Sequence, residues 1–237
     1  MLPKNRPLAD LHTHVLPAID DGAQTAEESI ALLTALKEQG VTDVVCTPHF
    51  DIAETSVNDF LETRNTSFAL LSEKIKEEAS LSDMRLRLGA EVKYNPNLAR
   101  TDLEPLCIEG TSYLLLEPLG SHPFNFEYTV DAIVARGITP ILAHIERFSW
   151  LADDYDLLER LIESGAVLQC TASALFNRHH AKRFKKLLKK GYVDIVASDT
   201  HSMTHRPPMF EQAFSKMKKQ SDRLIDNSFA ILSDKPL

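Results

Sequence analysis

The chain has 237 residues, enough for one full-sized domain, and its 43% hydrophobic and 25% charged residues are the balance of a globular protein rather than a disordered one. A formal net charge of −8 argues against a nucleic-acid clamp, which needs a basic face, and no apolar run nears the roughly 20 residues that cross a bilayer. Cys46, Cys107 and Cys170 form no Cys-x-x-Cys pair, so free thiols in a reducing cytoplasm are expected.

Residues 1–7 lack the apolar stretch of a secretory signal. Residues 7–14 read as a first strand. Thr25-Ala26-Glu27-Glu28 is a capping box opening a helix with Ile30, Leu33 and Leu36 on one face, and Gly40 closes it. Residues 41–47 form the next strand, bounded by Pro48. Residues 58–80 read as a long polar-faced helix, residues 85–91 as a third strand and residues 112–117 as a fourth. A helix near 126–136 ends at Gly137 before a strand over 139–143. A helix near 153–164 ends at Gly165 before a strand over 166–171. A helix over about 178–190 ends at Gly191 before a strand over 193–197, and a last helix lies near 208–219. The lysine-rich run from Lys182 to Lys190 reads as the solvated face and cationic C-terminal end of its helix, with a small anion-docking patch as the other reading.

Seven short, continuously apolar strands alternating with helices indicate an α/β protein with a parallel sheet covered by helices. A (β/α) barrel somewhat short of eight repeats is expected, with an open doubly wound sheet as the alternative. No linker or repeat divides the chain, so residues 1–237 read as a single domain.

His12 and His14, two apart on a strand, point the same way and make half of a coordination shell. Asp20-Asp21-Gly22 follows with hard oxygen ligands. The other strands end in Thr47-Pro48-His49, Gly89-Ala90-Glu91, Leu116-Glu117, His144-Ile145-Glu146-Arg147 and Ser198-Asp199-Thr200-His201. In a barrel these C-terminal strand ends share one face, and their nitrogen and oxygen donors, without cysteine, suit manganese, iron or zinc. None of the cysteines is followed by arginine six positions on, which rejects a cysteine-nucleophile phosphatase.

In order and spacing these motifs resemble the polymerase and histidinol phosphatase (PHP) superfamily. The run from His12 to Glu28 is similar, more narrowly, to the bacterial CpsB/CapC/YwqE protein-tyrosine phosphatases, and the likeness spans about residues 8–206. The resemblance implies a distorted (β/α)7 PHP barrel with its metal site at the C-terminal ends of the strands. It implies two or three divalent ions, manganese foremost. His12, His14, Glu91 and Asp199 would hold the first, Glu91 bridging to a second on Glu117 and His144, and Asp21, His49 and His201 would hold the third. Arg147 and Arg206 match the substrate-facing arginines. The expected reaction is in-line attack of a metal-bridging hydroxide on phosphorus. The substrate implied is a tyrosine-phosphorylated protein, the tail of a bacterial tyrosine autokinase in capsule or exopolysaccharide control, met in the cytoplasm without membrane insertion. Phe50, Phe124, Phe148 and Trp150 are candidate rim aromatics, and His205 is the nearest candidate for a general acid. The rival readings are a small-molecule phosphoesterase of histidinol-phosphatase type, a nuclease and a metal-stabilised protein without catalysis.

Overall fold

The structure, a computed structural model, describes residues 6–217 and 220–237. Residues 1–5, part of the segment read for a secretory signal, and 218–219, the end of the helix expected near 208–219, lie outside the described residues.

The first strand, β1 (Leu8–Thr13), is wholly buried, as continuous apolarity demands in a sheet covered on both faces. Helix α1 (Ala26–Glu38) starts where Thr25 accepts from the Glu28 backbone N–H. The capping box is not reciprocal: Glu28 Oε2 takes the N–H of Gln24, 2.6 Å away, one residue before the cap. Leu32, Leu33 and Leu36 make the buried face, and Ile30 is only half-buried.

The second and third strands are each interrupted. β2 (Val41–Cys46) stops at Thr47-Pro48 and resumes as β3 (His49–Phe50). β4 (Arg85–Leu88) stops at Gly89-Ala90 and resumes as β5 (Glu91–Lys93). Pro48 has no N–H for a ladder, and a Cβ on Gly89 would meet Val45 at 3.1 Å. Between them, α2 (Val57–Lys76) is shorter than expected and is followed by a 3-10 turn, Ala79–Leu81.

β6 (Tyr113–Glu117), β7 (Thr139–Leu142), β8 (Val167–Thr171) and β9 (Ile195–Ala197) follow, with α3 (Phe126–Val134), α4 (Ser149–Ala152), α5 (Tyr155–Glu163) and α6 (Ala181–Lys190) between them. All pairings within the sheets are parallel, in the orders β1-β2-β4 and β3-β5-β6-β7-β8-β9. The sheets curl until last and first strands meet: Asp199 N–H donates to His12 O (2.9 Å) and His14 N–H to Thr200 O (3.0 Å).

The helix expected near 208–219 begins later, as α7 (Phe210–Met217), and a further helix, α8 (Ser221–Leu232), follows it. Ile231 and Leu232 of α8 pack among Ala9, Leu11, Tyr113, Val167 and Ile195. Tyr113 Oη donates to Lys235 O (2.7 Å), and Asp234 accepts from the backbone N–H of Ser112 (2.8 Å). The C-terminal segment therefore closes the end of the sheet where strands begin, leaving their C-terminal ends open.

Candidate metal centre

Six strand ends deliver nine nitrogen- or oxygen-bearing side chains to one place. His12 and His14 come from β1, Asp21 from the loop behind it, His49 from β3, Glu91 from β5, Glu117 from β6, His144 from the end of β7, and Asp199 and His201 from beyond β9. They form four overlapping donor sets, each with its ligand atoms within 4.8 Å of one another: His12, His14 and Asp199; His12, Glu91 and His144; His49, Glu91 and Glu117; and His14, Asp21, His49 and His201. All nine positions singled out in the sequence are brought together, but the grouping differs from the expected division. His14 also belongs with Asp21, His49 and His201, and His49 lies with Glu91 and Glu117.

The centre is deeply buried on one side and open on the other. His12, His14, Glu91, His144, Asp199 and His201 are buried, whereas the Asp21 side chain is 64% exposed. Glu91 Oε2 lies 3.2 Å from both His12 Nε2 and His14 Nε2, and 3.0 Å from His49 Nδ1. Even so, that oxygen has no hydrogen bond of acceptable geometry, and neither has His201 Nε2. His12 Nε2 and His14 Nε2 are themselves 3.1 Å apart. Buried nitrogen and oxygen atoms crowded together with some of them left without hydrogen bonds are costly unless a cation sits among them, so the donor set fits divalent metal.

His144 (φ 35°) and Asp199 (φ 53°) both adopt the left-handed backbone conformation, rare for side chains other than glycine. Such strain persists where surrounding contacts over-determine it, and here it aims two strand-end side chains inward.

Two supporting residues lie outside the nine: Asp20, which the sequence offered with Asp21 as an oxygen ligand and which belongs to none of the donor sets, and Gln169, which carried no role in the sequence reading. Asp20 Oδ2 lies 2.7 Å from His14 Nδ1, and the same carboxylate accepts backbone N–H groups from Gly22 and His49. Gln169 Oε1 lies 3.3 Å from His12 Nδ1 and accepts the His144 N–H at 2.8 Å. The available signals were the doubled aspartate and a lone amide inside the apolar run of β8.

These contacts set the charges. Burial works against a charged His14, but Asp20 and Glu91 outweigh it and raise its pKa to about 10. Asp20, resisted by its own burial, is held down at about 2 by His14. Burial, then the charge of His14, pushes His201 down to about 3. Glu91 and Asp199, despite burial, are held well below the carboxylate range, Glu91 mainly by His12 and Asp199 by His12 and Arg147.

Arg147 and Arg206 reach the centre from opposite sides of Asp199. Arg147 Nη2 donates to Asp199 Oδ2, and Arg206 Nη2 donates to Oδ1 at 2.8 Å. A cleft of about 630 Å³ opens beside His49 and Glu117, walled by Ile19, Phe50, Asp51 and Lys93. The larger cavity, about 680 Å³, contains none of the nine residues. Of the proposed rim aromatics, Phe50 is fully buried, Phe148 and Trp150 are half-buried and Phe124 is fully exposed. His205 is exposed, and its backbone N–H donates to Ser202.

The family profile for capsular polysaccharide synthesis proteins CpsB/CapC matches residues 8–234. CapC of Staphylococcus aureus is 32% identical over 218 residues, covering 89% of this chain and 84% of that one. The tyrosine-protein phosphatase CpsB of Streptococcus pneumoniae is 29% identical, covering 96% and 99%. The fold matches a crystal structure from the pair YwqE of Bacillus subtilis and CpsB of Streptococcus pneumoniae, described as metal-dependent tyrosine phosphatases. That match has a TM-score of 0.83 at 24% identity, covering 97% of this chain and 96% of that one.

Proposed function

Because the chain belongs to the CpsB/CapC family of capsular polysaccharide synthesis proteins, we propose that it is a metal-dependent phosphatase hydrolysing phosphotyrosine on a partner protein. The observation that carries this reading is the convergence of nine donors from six strand ends beside two arginines aimed at one carboxylate. The tyrosine-phosphatase names of the relatives support the substrate class. The partner in this reading is a bacterial tyrosine kinase tail in capsule or exopolysaccharide control. A cytoplasmic location belongs to the same reading and rests on three buried free thiols.

We read the fold as a distorted (β/α)7 barrel of PHP type forming a single domain over residues 1–237. Counting each interrupted pair as one strand gives seven, and the contacts of β9 with β1 support closure.

In the site, His12, His14, Glu91 and Asp199 would hold one ion, Glu91, Glu117 and His144 a second, and Asp21, His49 and His201 a third, with manganese first and iron or zinc as alternatives. Divalent ions there would supply a nucleophilic water of lowered pKa and electrostatic clamping of the phosphoryl oxygens. Gln169 and Asp20 fix which ring nitrogen of His12 and His14 faces the centre. Arg147 and Arg206 present forked donors to the phosphoryl oxygens, a geometry lysine cannot match. The leaving phenolate is more stable than an alkoxide, so little is asked of a general acid.

The test is metal-dependent turnover of a phosphotyrosyl peptide against a phosphoseryl peptide and histidinol phosphate. Preference for the phosphotyrosyl peptide is expected. Preference for histidinol phosphate by orders of magnitude would make the protein a small-molecule phosphoesterase instead.

A further inference from the structure

Helix α6 carries a row of lysines that its own stability does not explain. Lys182, Lys185, Lys186 and Lys189 fall at i, i+3, i+4 and i+7, one exposed face of a ten-residue helix whose other face buries Phe184 and Leu187. Among the described residues, none of the four has a carboxylate within 4.0 Å, although the chain holds 34 acidic residues against 26 basic ones. Elsewhere Lys37, Lys74, Lys76 and Lys93 are paired with carboxylates, while Lys216, over the Phe176 ring, and Lys235 stand singly rather than in a row. The attraction of cations to a helix C-terminus accounts for Lys189 and its neighbour Lys190. It opposes Lys182 in the first turn, where no acidic residue stands, and spacings of three and four make the lysines repel one another.

The row also begins beside the turn that carries Arg147. α6 runs back from the C-terminal end of β8, so Lys182 lies toward the open face and the row descends about 10 Å along the outside. Arg183, next to Lys182, donates to the carbonyl of Glu146 (2.8 Å), the residue before Arg147. A hollow of about 190 Å³ lies between His179, Lys182 and Lys186, and the one carboxylate in it, Asp153, is engaged by Arg183 (2.9 Å).

We propose that this lysine row is a docking track for acidic residues flanking the phosphotyrosine, so that the enzyme selects phosphotyrosine in acidic sequence. The inference rests on the phosphotyrosine reading above. A polypeptide with its phosphate held by Arg147 passes Lys182 first, and carboxylates further along it meet Lys186, Lys185 and Lys189 without any change in the chemistry at the centre.

The experiment compares the wild-type metal-loaded protein with the Lys182→Glu/Lys186→Glu double variant. Three substrates are used: a phosphotyrosyl peptide flanked by Asp and Glu, the same peptide with Asn and Gln, and p-nitrophenyl phosphate. The wild type should show a KM at least tenfold lower for the acidic peptide, with the gap closing as salt rises. In the double variant the gap should vanish while p-nitrophenyl phosphate turnover and melting temperature stay unchanged. Equal KM values in the wild type, or a gap that survives the double substitution, would overturn the proposal. Phosphatidylserine vesicles that bind the wild type but not the variant, with no peptide preference, would assign the row to membranes and overturn it as well. Hydrolysis of neither peptide, with p-nitrophenyl phosphate still turned over, would defeat the phosphotyrosine reading itself and this inference with it.

Discussion

His14 Nδ1 lies 2.7 Å from Asp20 Oδ2, leaving Nε2 of the same ring to face Glu91 and Asp199. Asp20 therefore positions a candidate ligand six residues before it in the chain without being a member of any donor set. Asp20→Asn removes the charge that fixes this ring orientation. Partners of this kind are worth 10- to 100-fold in metal affinity, and a loss of about that size is expected from chelator-competition titration. A change below about threefold would show that Glu91 alone orients His14.

The same pair predicts how the metal-free protein responds to pH. With its pKa raised from 6.5 to about 10 by Asp20 and Glu91, against the opposing effect of burial, His14 keeps its proton through neutral pH. A raised folded-state pKa contributes stability that is full below about 6.5 and is lost as pH climbs toward 10. Binding runs the other way, because a ligating imidazole must be neutral: apparent metal affinity should rise up to about tenfold per pH unit for the proton His14 releases. Melting curves with and without chelator at pH 6.5 and 9 check both signs. A metal-free melting temperature that rises across that window would contradict the assignment.

Gly22 is pressed against the strand it follows. A Cβ there would stand 2.2 Å from the His14 carbonyl oxygen and 2.5 Å from His14 Cβ, both parts of a buried strand end that cannot retreat. Gly22→Ala must push the Asp20–Asp21 turn away from β1. The expected cost is about 1–3 kcal/mol of stability, the range for overpacking, together with reduced metal content by elemental analysis. Wild-type metal content in a stably folded Gly22→Ala protein would show that the turn adjusts without disturbing Asp20 or Asp21.

The donors were legible because histidines and carboxylates at the ends of apolar strands stand out, and a parallel α/β fold sends those ends to one face. What was not legible depends on the third dimension. Asp20 and Asp21 are identical in sequence, yet the Asp20 side chain is 5% exposed and the Asp21 side chain 64%, a choice made by the turn at Gly22. The sharing of His14 between donor sets follows from the His49 and His201 rings closing on it, with centroids 4.5 and 3.8 Å away, which spacing along the chain does not encode. The breaks at Thr47-Pro48 and Gly89-Ala90 are coupled through packing of Gly89 against Val45, invisible to either strand alone. Helix α8 did leave a trace, since Leu224, Ile225, Ser228, Ile231 and Leu232 follow the helical period, but polar residues between them hid it.

Arg147 and Arg206 divide the two oxygens of Asp199 between them, so each guanidinium is already aimed at the centre before any substrate arrives. A phosphoryl group entering there meets guanidinium groups whose remaining N–H groups can donate to its oxygens, and whose charge offsets the charge that builds during transfer. The two side chains are similarly half-buried, but Arg147 is flanked by the Asp199 and Glu146 carboxylates, which hold it charged against the burial that opposes it. Arg147→Ala should lower kcat/KM for the phosphotyrosyl peptide about 100-fold, in the range of about 3 kcal/mol for a charged donor lost from a transition state. Arg206→Ala should cost about tenfold. Arg147→Lys should recover only part of the loss, because the ammonium lacks the fork. Metal content should stay at the wild-type level in all three, since none is in a donor set, and inhibition by inorganic phosphate should weaken in parallel with activity. Full turnover in Arg147→Ala would remove that side chain from the reaction and leave its contact with Asp199 purely structural.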